Sequence, residues 1–226
     1  MENISIVMPT YNQSKYLSQA IDSILAQDCD DWKLYIINDG STDNTGDIAM
    51  DYAIKYPDKI EYHYKENGGT GDALNYGFSK TKGKYHTYVS SDNVYFTMFA
   101  RMLANVLDGK SNVGFVYSDF QFINEEGILG EKIIRPPYTK NLLMTGCHIG
   151  LCFMWRKELF EMFGGFDKLY TAQDYDFALK CEEKTNLYHI PIILGLYRDH
   201  PETVSHVKGY DDTVEVLANA RKRRGL

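Results

Sequence analysis

Four short polar sets in the first half of the chain hold residue types that can do chemistry: Pro9-Thr10-Tyr11-Asn12, Asn38-Asp39, Asn67-Gly68-Gly69 and Ser91-Asp92-Asn93. Tyr11 offers a flat face on which a base can stack, with nearby backbone to hold a ribose. Asp39 is a fixed acceptor for a base N–H, the group that marks uracil or thymine. Gly68 and Gly69 let backbone approach a phosphate closely. Each set also has a plainer reading. The first is then a turn with a helix cap, the second a turn closed by an Asx bond, and the third a loop.

The elements that must position these sets alternate strand and helix. Ile4 to Met8 is a continuous apolar run, the pattern of a strand buried on both faces, and Pro9 is expected to end it. Leu17, Ala20, Ile21, Ile24 and Leu25 line one helix face, with Asn12 or Ser14 as candidate N-caps. Leu34 to Ile37 reads as a second strand. Ile48, Ala49, Tyr52, Ala53 and Tyr56 form a second helix face stopped by Pro57. A third strand at Ile60 to Tyr64, a short helix at Asp72 to Ser79 and a fourth strand at Tyr85 to Ser90 complete the pattern. Repeated strand–helix units at this spacing predict an α/β fold built on a parallel sheet with right-handed crossovers. Ligands then bind beyond the carboxyl ends of the strands, where the four polar sets lie.

The second half has a different texture. A helix carrying Phe99, Met102, Leu103, Val106 and Leu107 precedes two strand-like runs, Val113 to Ile123 and Ile128 to Ile134, joined by a hairpin turn. Short helices are expected at Lys157 to Phe163 and Asp174 to Glu183. Leu187 to Tyr197 reads as extended and Asp211 to Arg224 as a closing helix. The expected organisation is one domain over 1–226. Residues 1–95, approximately, form a nucleotide-binding half and 96–226 a mixed half.

Composition narrows the partners. The 24 Lys and Arg against 31 Asp and Glu give a net charge of −7, which disfavours nucleic acid as a partner. Aromatic residues reach 14%, dominated by 18 Tyr, a type that suits both cores and sugar-gripping surfaces. Four cysteines without a CxxC pair read as reduced thiols of a cytoplasmic protein. The first residues lack the basic and apolar segments of a signal peptide, and no apolar stretch approaches bilayer-spanning length. No Walker A loop and no three-glycine dinucleotide fingerprint appear, so P-loop and dehydrogenase readings fall.

Taken together, Ser5-Ile-Val-Met-Pro-Thr-Tyr-Asn12, Ile37-Asn-Asp-Gly-Ser-Thr-Asp43, Glu66-Asn-Gly-Gly69 with Ala73-Leu-Asn75, Gly164-Gly-Phe-Asp167 and Gln173-Asp-Tyr-Asp176 resemble an inverting family-2 glycosyltransferase of the GT-A fold. The resemblance runs from residue 4 to about 206. It implies a Rossmann-like nucleotide-binding half fused to an acceptor half, and an NDP-sugar donor held by Pro9, Thr10, Tyr11, Asp39, Asn67, Gly68 and Ser91. The preference for UDP rests on Asp39. The acceptor is expected to be a glycan or a lipid-linked sugar.

The resemblance also implies a divalent metal, Mn²⁺ or Mg²⁺, because hard cations on a diphosphate take oxygen ligands. The family's Asp-x-Asp motif is Ser90-Ser91-Asp92 here, so one carboxylate is missing and Asp92 is the expected ligand. His200, in Tyr197-Arg-Asp-His-Pro201, is the second. Asp174 is the expected general base, with helix N-cap as its plainer role. His148 and Trp155 are candidate acceptor contacts, and core positions are their alternative. Leu74 stands where the family often has a phosphate-binding Arg. Arg221-Lys222-Arg223-Arg224 is either a peripheral contact with the inner face of a membrane or a solvated helix end. Two rivals remain: a catalytically degenerate nucleotide-binding module, motivated by Ser90, and a sugar nucleotidyltransferase. The second lacks its expected Gly-rich basic loop after strand one.

Overall fold

The computed structural model describes residues 2–168, 171–203 and 211–225. Its first strands are β1 (Ile4–Thr10), β2 (Trp32–Asp39), β3 (Ile60–Lys65) and β4 (Tyr85–Tyr88). Between them run α1 (Leu17–Leu25), α2 (Thr45–Lys55) and α3 (Thr70–Phe78). All three pairings among these four strands are parallel, in the order β3-β2-β1-β4. Both faces of β1 and β2 are apolar because both are covered. Ile4, Ile6, Met8, Leu34 and Ile36 join one core cluster with α1, while Val7, Tyr35 and Ile37 join the other with α3. Each fully buried Ile contributes about 1.5–3 kcal/mol relative to an exposed one.

The rest of the sheet is mixed. It comprises β5 (Val94–Tyr95), β6 (Val113–Ile123), β7 (Leu129–Ile133), β8 (Phe153–Arg156) and β9 (Asn186–Arg198), with the order continuing β4-β8-β6-β9-β5 and β7 paired to β6. Here β6 and β9 are parallel, whereas β8 and β5 are antiparallel to their neighbours. The helices are α4 (Phe99–Gly109), α5 (Lys157–Phe163), α6 (Gln173–Glu182) and α7 (Asp211–Arg224).

Three local expectations need correction. Pro9 does not end β1; it pairs with Ile37 of β2. The Val7 carbonyl accepts from Val89, so Pro9 turns its missing N–H toward the same side, beyond the last β4 register pair at Val7 and Tyr88. Neither Asn12 nor Ser14 caps α1, whose N-cap is Tyr16 with no side-chain cap bond. Asn12 instead adopts φ 52° and accepts the Thr42 N–H at 2.8 Å. The fourth strand stops at Tyr88, because the chain turns there and the Ser90 N–H donates to the Tyr95 hydroxyl at 3.0 Å.

Candidate functional site

The carboxyl ends of β1 and β2 are stitched together by their own polar residues. The Asn12 N–H donates to Ser41 Oγ at 3.0 Å, and the Ser41 N–H to Asn38 Oδ1 at 2.9 Å. Gly40, at φ 75°, is required by proximity as well as conformation: a Cβ there would stand 2.8 Å from the Asn67 nitrogen. Tyr11 is nearly half exposed at this edge, at 48%. Thr10 is buried, and its Oγ1 has no hydrogen-bond partner. Pro9 is half-buried and Ser91 buried.

Asp39 is the centre of this region. Its Oδ1 accepts from Lys65 Nζ at 2.7 Å and from the Gly68 N–H at 3.0 Å, and its Oδ2 accepts from the Gly69 N–H at 2.8 Å. Asn67 Nδ2 donates to the Asp39 carbonyl at 2.9 Å. The glycine amides expected to face a phosphate therefore serve a protein carboxylate, placed at the N-terminus of α3 where a negative charge is favoured. Lys65 also pairs with Asp72 at 2.8 Å, and Asp72 with Lys168. Those two cations, Lys168 first, hold the Asp72 carboxyl below its ordinary range. Lys65 was invisible as a site residue in the sequence, and only its place at the end of β3 hinted at it.

Asp92 and His200 do come together. His200 Nε2 lies 3.2 Å from Asp92 Oδ2, while Asp92 Oδ1 is buried with no hydrogen-bond partner. A buried carboxylate oxygen without a donor is costly unless a cation or donor meets it. The residues present thus fit a divalent cation held by one carboxylate, one imidazole and diphosphate oxygens. Among the described residues, no group of three or more His, Cys, Asp or Glu side chains is placed to hold a metal alone. Beside the pair lies a cleft of about 420 Å³ whose lining includes Asn12, Tyr16, Glu125 and His200.

A larger cavity, of about 650 Å³, opens beyond β4. Its walls include Tyr88, Ser90 and Asn93 from the end of β4, and Phe120, Phe122 and Tyr197 from β6 and β9. Asp174, on the first turn of α6, also lines it. The Asp174 carboxyl is only partly exposed, through the cavity, and burial raises its pKa. The Tyr175 N–H, which donates to it at 2.8 Å, and the nearby Tyr88 hydroxyl pull the other way. A carboxyl raised by burial on a cavity wall is a candidate general base. Asp174 is not the N-cap of α6; Ala172 is. Asp176 is buried against Lys180 at 2.6 Å and Arg223 at 3.4 Å, which removes it from the cavity chemistry.

The acceptor candidates fare differently. Trp155 is fully buried among Phe78, Phe115, Phe153, Phe166 and Phe177, so it is a core residue and not an acceptor contact. His148 is half-buried with its Nε2 3.0 Å from Thr145 Oγ1, and burial, then Arg135, lowers its pKa. Its neighbour Cys147 is the one that lines the cavity. Leu74 packs in the core. In the basic C-terminal run, Arg223 pairs with Glu183 and Asp176, and Arg224 with Glu182, tying α7 to α6. Arg221 and Lys222 are exposed. Among the described residues, no helix is long and apolar enough to cross a membrane.

Residues 5–162 match the family model of glycosyl transferase family 2. The chain belongs to that family. An uncharacterized glycosyltransferase of Rickettsia felis is 34% identical over 230 residues, covering 95% of this chain and 37% of its own length. The chain therefore spans well under half of that relative. Among solved structures, S. aureus TarS in complex with UDP-GlcNAc superposes with a TM-score of 0.77 at 20% identity, over 97% of this chain and 66% of that one. The mannosyltransferase PcManGT from Pyrobaculum calidifontis, in complex with GDP-Man and Mn²⁺, gives 0.78 at 18%, over 98% and 64%. These likenesses establish the GT-A fold for this family-2 member.

Proposed function

We propose that this chain transfers a sugar, with inversion, from an NDP-sugar to a glycan or lipid-linked acceptor, with Asp174 as general base. The observation that carries the reading is Asp174: a carboxyl raised by burial, on the wall of the 650 Å³ cavity that also contains Ser90 and Asn93. The ionised Asp174 takes the proton of an acceptor hydroxyl as that oxygen attacks the anomeric carbon. The bond from that carbon to the diphosphate oxygen breaks, and the nucleoside diphosphate leaves on the opposite face. Residues 1–95, approximately, bind the donor and the remainder the acceptor, as parts of one domain.

Tyr11 supplies the stacking face for the base. Asp39 Oδ2 has accepted one N–H and keeps a second lone pair for a base N–H. An ionised carboxylate only accepts, so it suits a base that presents a ring N–H, as uracil and guanine do. Asp92 and His200 are the residues that would hold Mn²⁺ or Mg²⁺, which when bound supplies positive charge against the departing diphosphate. TarS with UDP-GlcNAc and PcManGT with GDP-Man and Mn²⁺ share this fold, which agrees with a nucleotide-sugar donor.

The test is calorimetry with UDP and GDP, with and without Mn²⁺, on wild type and Asp174→Asn. The variant is expected to bind the nucleotide as wild type does while losing transfer. Retained transfer would assign the base elsewhere, and absence of nucleotide binding by the wild type would overturn the donor assignment.

A further inference from the structure

Arg198 carries a charged side chain that is only 2% exposed, and among the described residues no carboxylate pairs with it. Four of its guanidinium bonds go to neutral oxygens. Nε donates to the Asp92 carbonyl at 2.9 Å, Nη1 to the carbonyls of Asn124 at 3.0 Å and Glu125 at 3.2 Å, and Nη2 to Gln19 Oε1. The backbone N–H of Arg198 donates to Asn93 Oδ1 at 2.8 Å. The guanidinium also lies over the Tyr16 ring, 4.8 Å from its centroid, and that ring packs against the His200 imidazole at 4.9 Å.

These contacts gather four segments that are remote in sequence: the Asp92-Asn93 turn after β4, the tip of the β6–β7 hairpin, α1, and the stretch leading to His200. Thr203 secures that last stretch, accepting the His200 N–H on its Oγ1 at 3.1 Å. A guanidinium is suited to this task because it presents five donors in a fixed plane, whereas a lysine ammonium is one point charge on a flexible stem. The β6–β7 hairpin also carries Phe122 and Ile133, which line the large cavity. Arg198 therefore joins the cavity wall and the Asp92–His200 pair in one hydrogen-bonded unit.

We propose that Arg198 is the positioning residue of the diphosphate end of the site, holding Asp92 and His200 in the register that a nucleoside diphosphate with its divalent cation requires. The inference rests on the donor assignment above and goes beyond it, since Arg198 touches neither reactant. Its loss is expected to cost the cation-dependent part of nucleotide affinity and to spare the part contributed by Tyr11 and Asp39.

The experiment is calorimetric titration of the full chain with UDP or GDP, whichever the wild type binds tighter, in EDTA and in Mn²⁺. It compares wild type, Arg198→Lys and Gln19→Leu, each checked for folding by circular dichroism. Arg198→Lys is expected to bind nucleotide in EDTA within about twofold of wild type and to lose about tenfold or more of the Mn²⁺-dependent gain, the scale of displacing a residue that orients metal ligands. Gln19→Leu keeps the guanidinium and removes only its Nη2 acceptor, so a smaller loss of the same kind is expected. If Arg198→Lys does not fold, Gln19→Leu decides. A folded variant with the full wild-type gain overturns the proposal. A wild type with no Mn²⁺-dependent gain overturns the metal assignment itself, and this proposal with it.

Discussion

His200 Nε2 stands 3.2 Å from Asp92 Oδ2, although 108 residues separate the two in the chain. Asp92 comes from the turn after β4 and His200 from the segment after β9, and β9 reaches the turn through its pairing with β5. The other Asp92 oxygen is buried without a donor, so the pair is polarised toward a group that brings positive charge.

Replacing His200 with Ala is expected to weaken Mn²⁺-supported transfer about ten- to a hundredfold, the usual scale for perturbing a metal's immediate surroundings. Asp92→Ala should abolish the Mn²⁺ response. Ser90→Asp, which supplies the second carboxylate of the family motif, should tighten the apparent Mn²⁺ constant. Titration of initial rates against Mn²⁺ measures all three. A His200→Ala protein with an unchanged metal constant would remove His200 from the site.

Asp174→Asn is expected to lower kcat by about 10²–10⁴-fold, the range for a general base, with nucleotide affinity unchanged. The same substitution should raise the melting temperature near neutral pH. The sign follows from linkage: Asp174 has a folded pKa above its unfolded one, so between those values the folded state holds a proton that the unfolded state has released. Stability therefore falls as pH rises through that window, and Asn avoids the buried charge. A thermal melt in which Asp174→Asn is less stable at neutral pH contradicts the assigned shift.

Tyr88→Phe should move the acidic limb of the kcat profile to higher pH. The Tyr88 hydroxyl stabilises the ionised Asp174, so its removal raises the carboxyl further and delays ionisation of the base. A limb that stays in place, or moves to lower pH, would separate Tyr88 from the base.

Trp155→Ala should cost about 3–5 kcal/mol in urea unfolding, as for other large aromatic side chains removed from cores. Where the protein remains folded, nucleotide affinity should persist, because the indole is fully buried among five phenylalanines.

Lys65→Met should cost about 2 kcal/mol of stability and weaken UDP binding, because Asp39 then loses its charged donor while its carboxylate stays buried. Calorimetry with UDP in the absence of metal checks this. Unchanged affinity would mean that the two glycine amides alone fix Asp39.

Much of the frame was legible from periodicity. The apolar runs of β1 and β2 name strands covered on both faces, and the 3.6-residue spacing of Leu17 to Leu25 and Phe99 to Leu107 marks helices whose apolar faces join the same core. Polar residues at the strand ends, Asp92 among them, then pointed to where a ligand would bind, whereas Asp174 and His200 came from the resemblance to family-2 glycosyltransferases. The boundaries that failed did so for local reasons. Pro9 continues β1 because its missing N–H falls beyond the β4 pairing, and Asn12 is used by the Thr42 amide instead of capping α1.

What the sequence determined by itself was the set of residue types and their order along parallel strands, because hydrophobic period and turn chemistry act over a few residues. The tertiary structure alone decided which polar atoms meet. It gave the glycine amides to Asp39, buried Trp155, paired Asp176 away and placed Arg198 behind Asp92. Hydrogen bonds are directional and short, so partners dozens of residues apart become partners only when the sheet has closed around them.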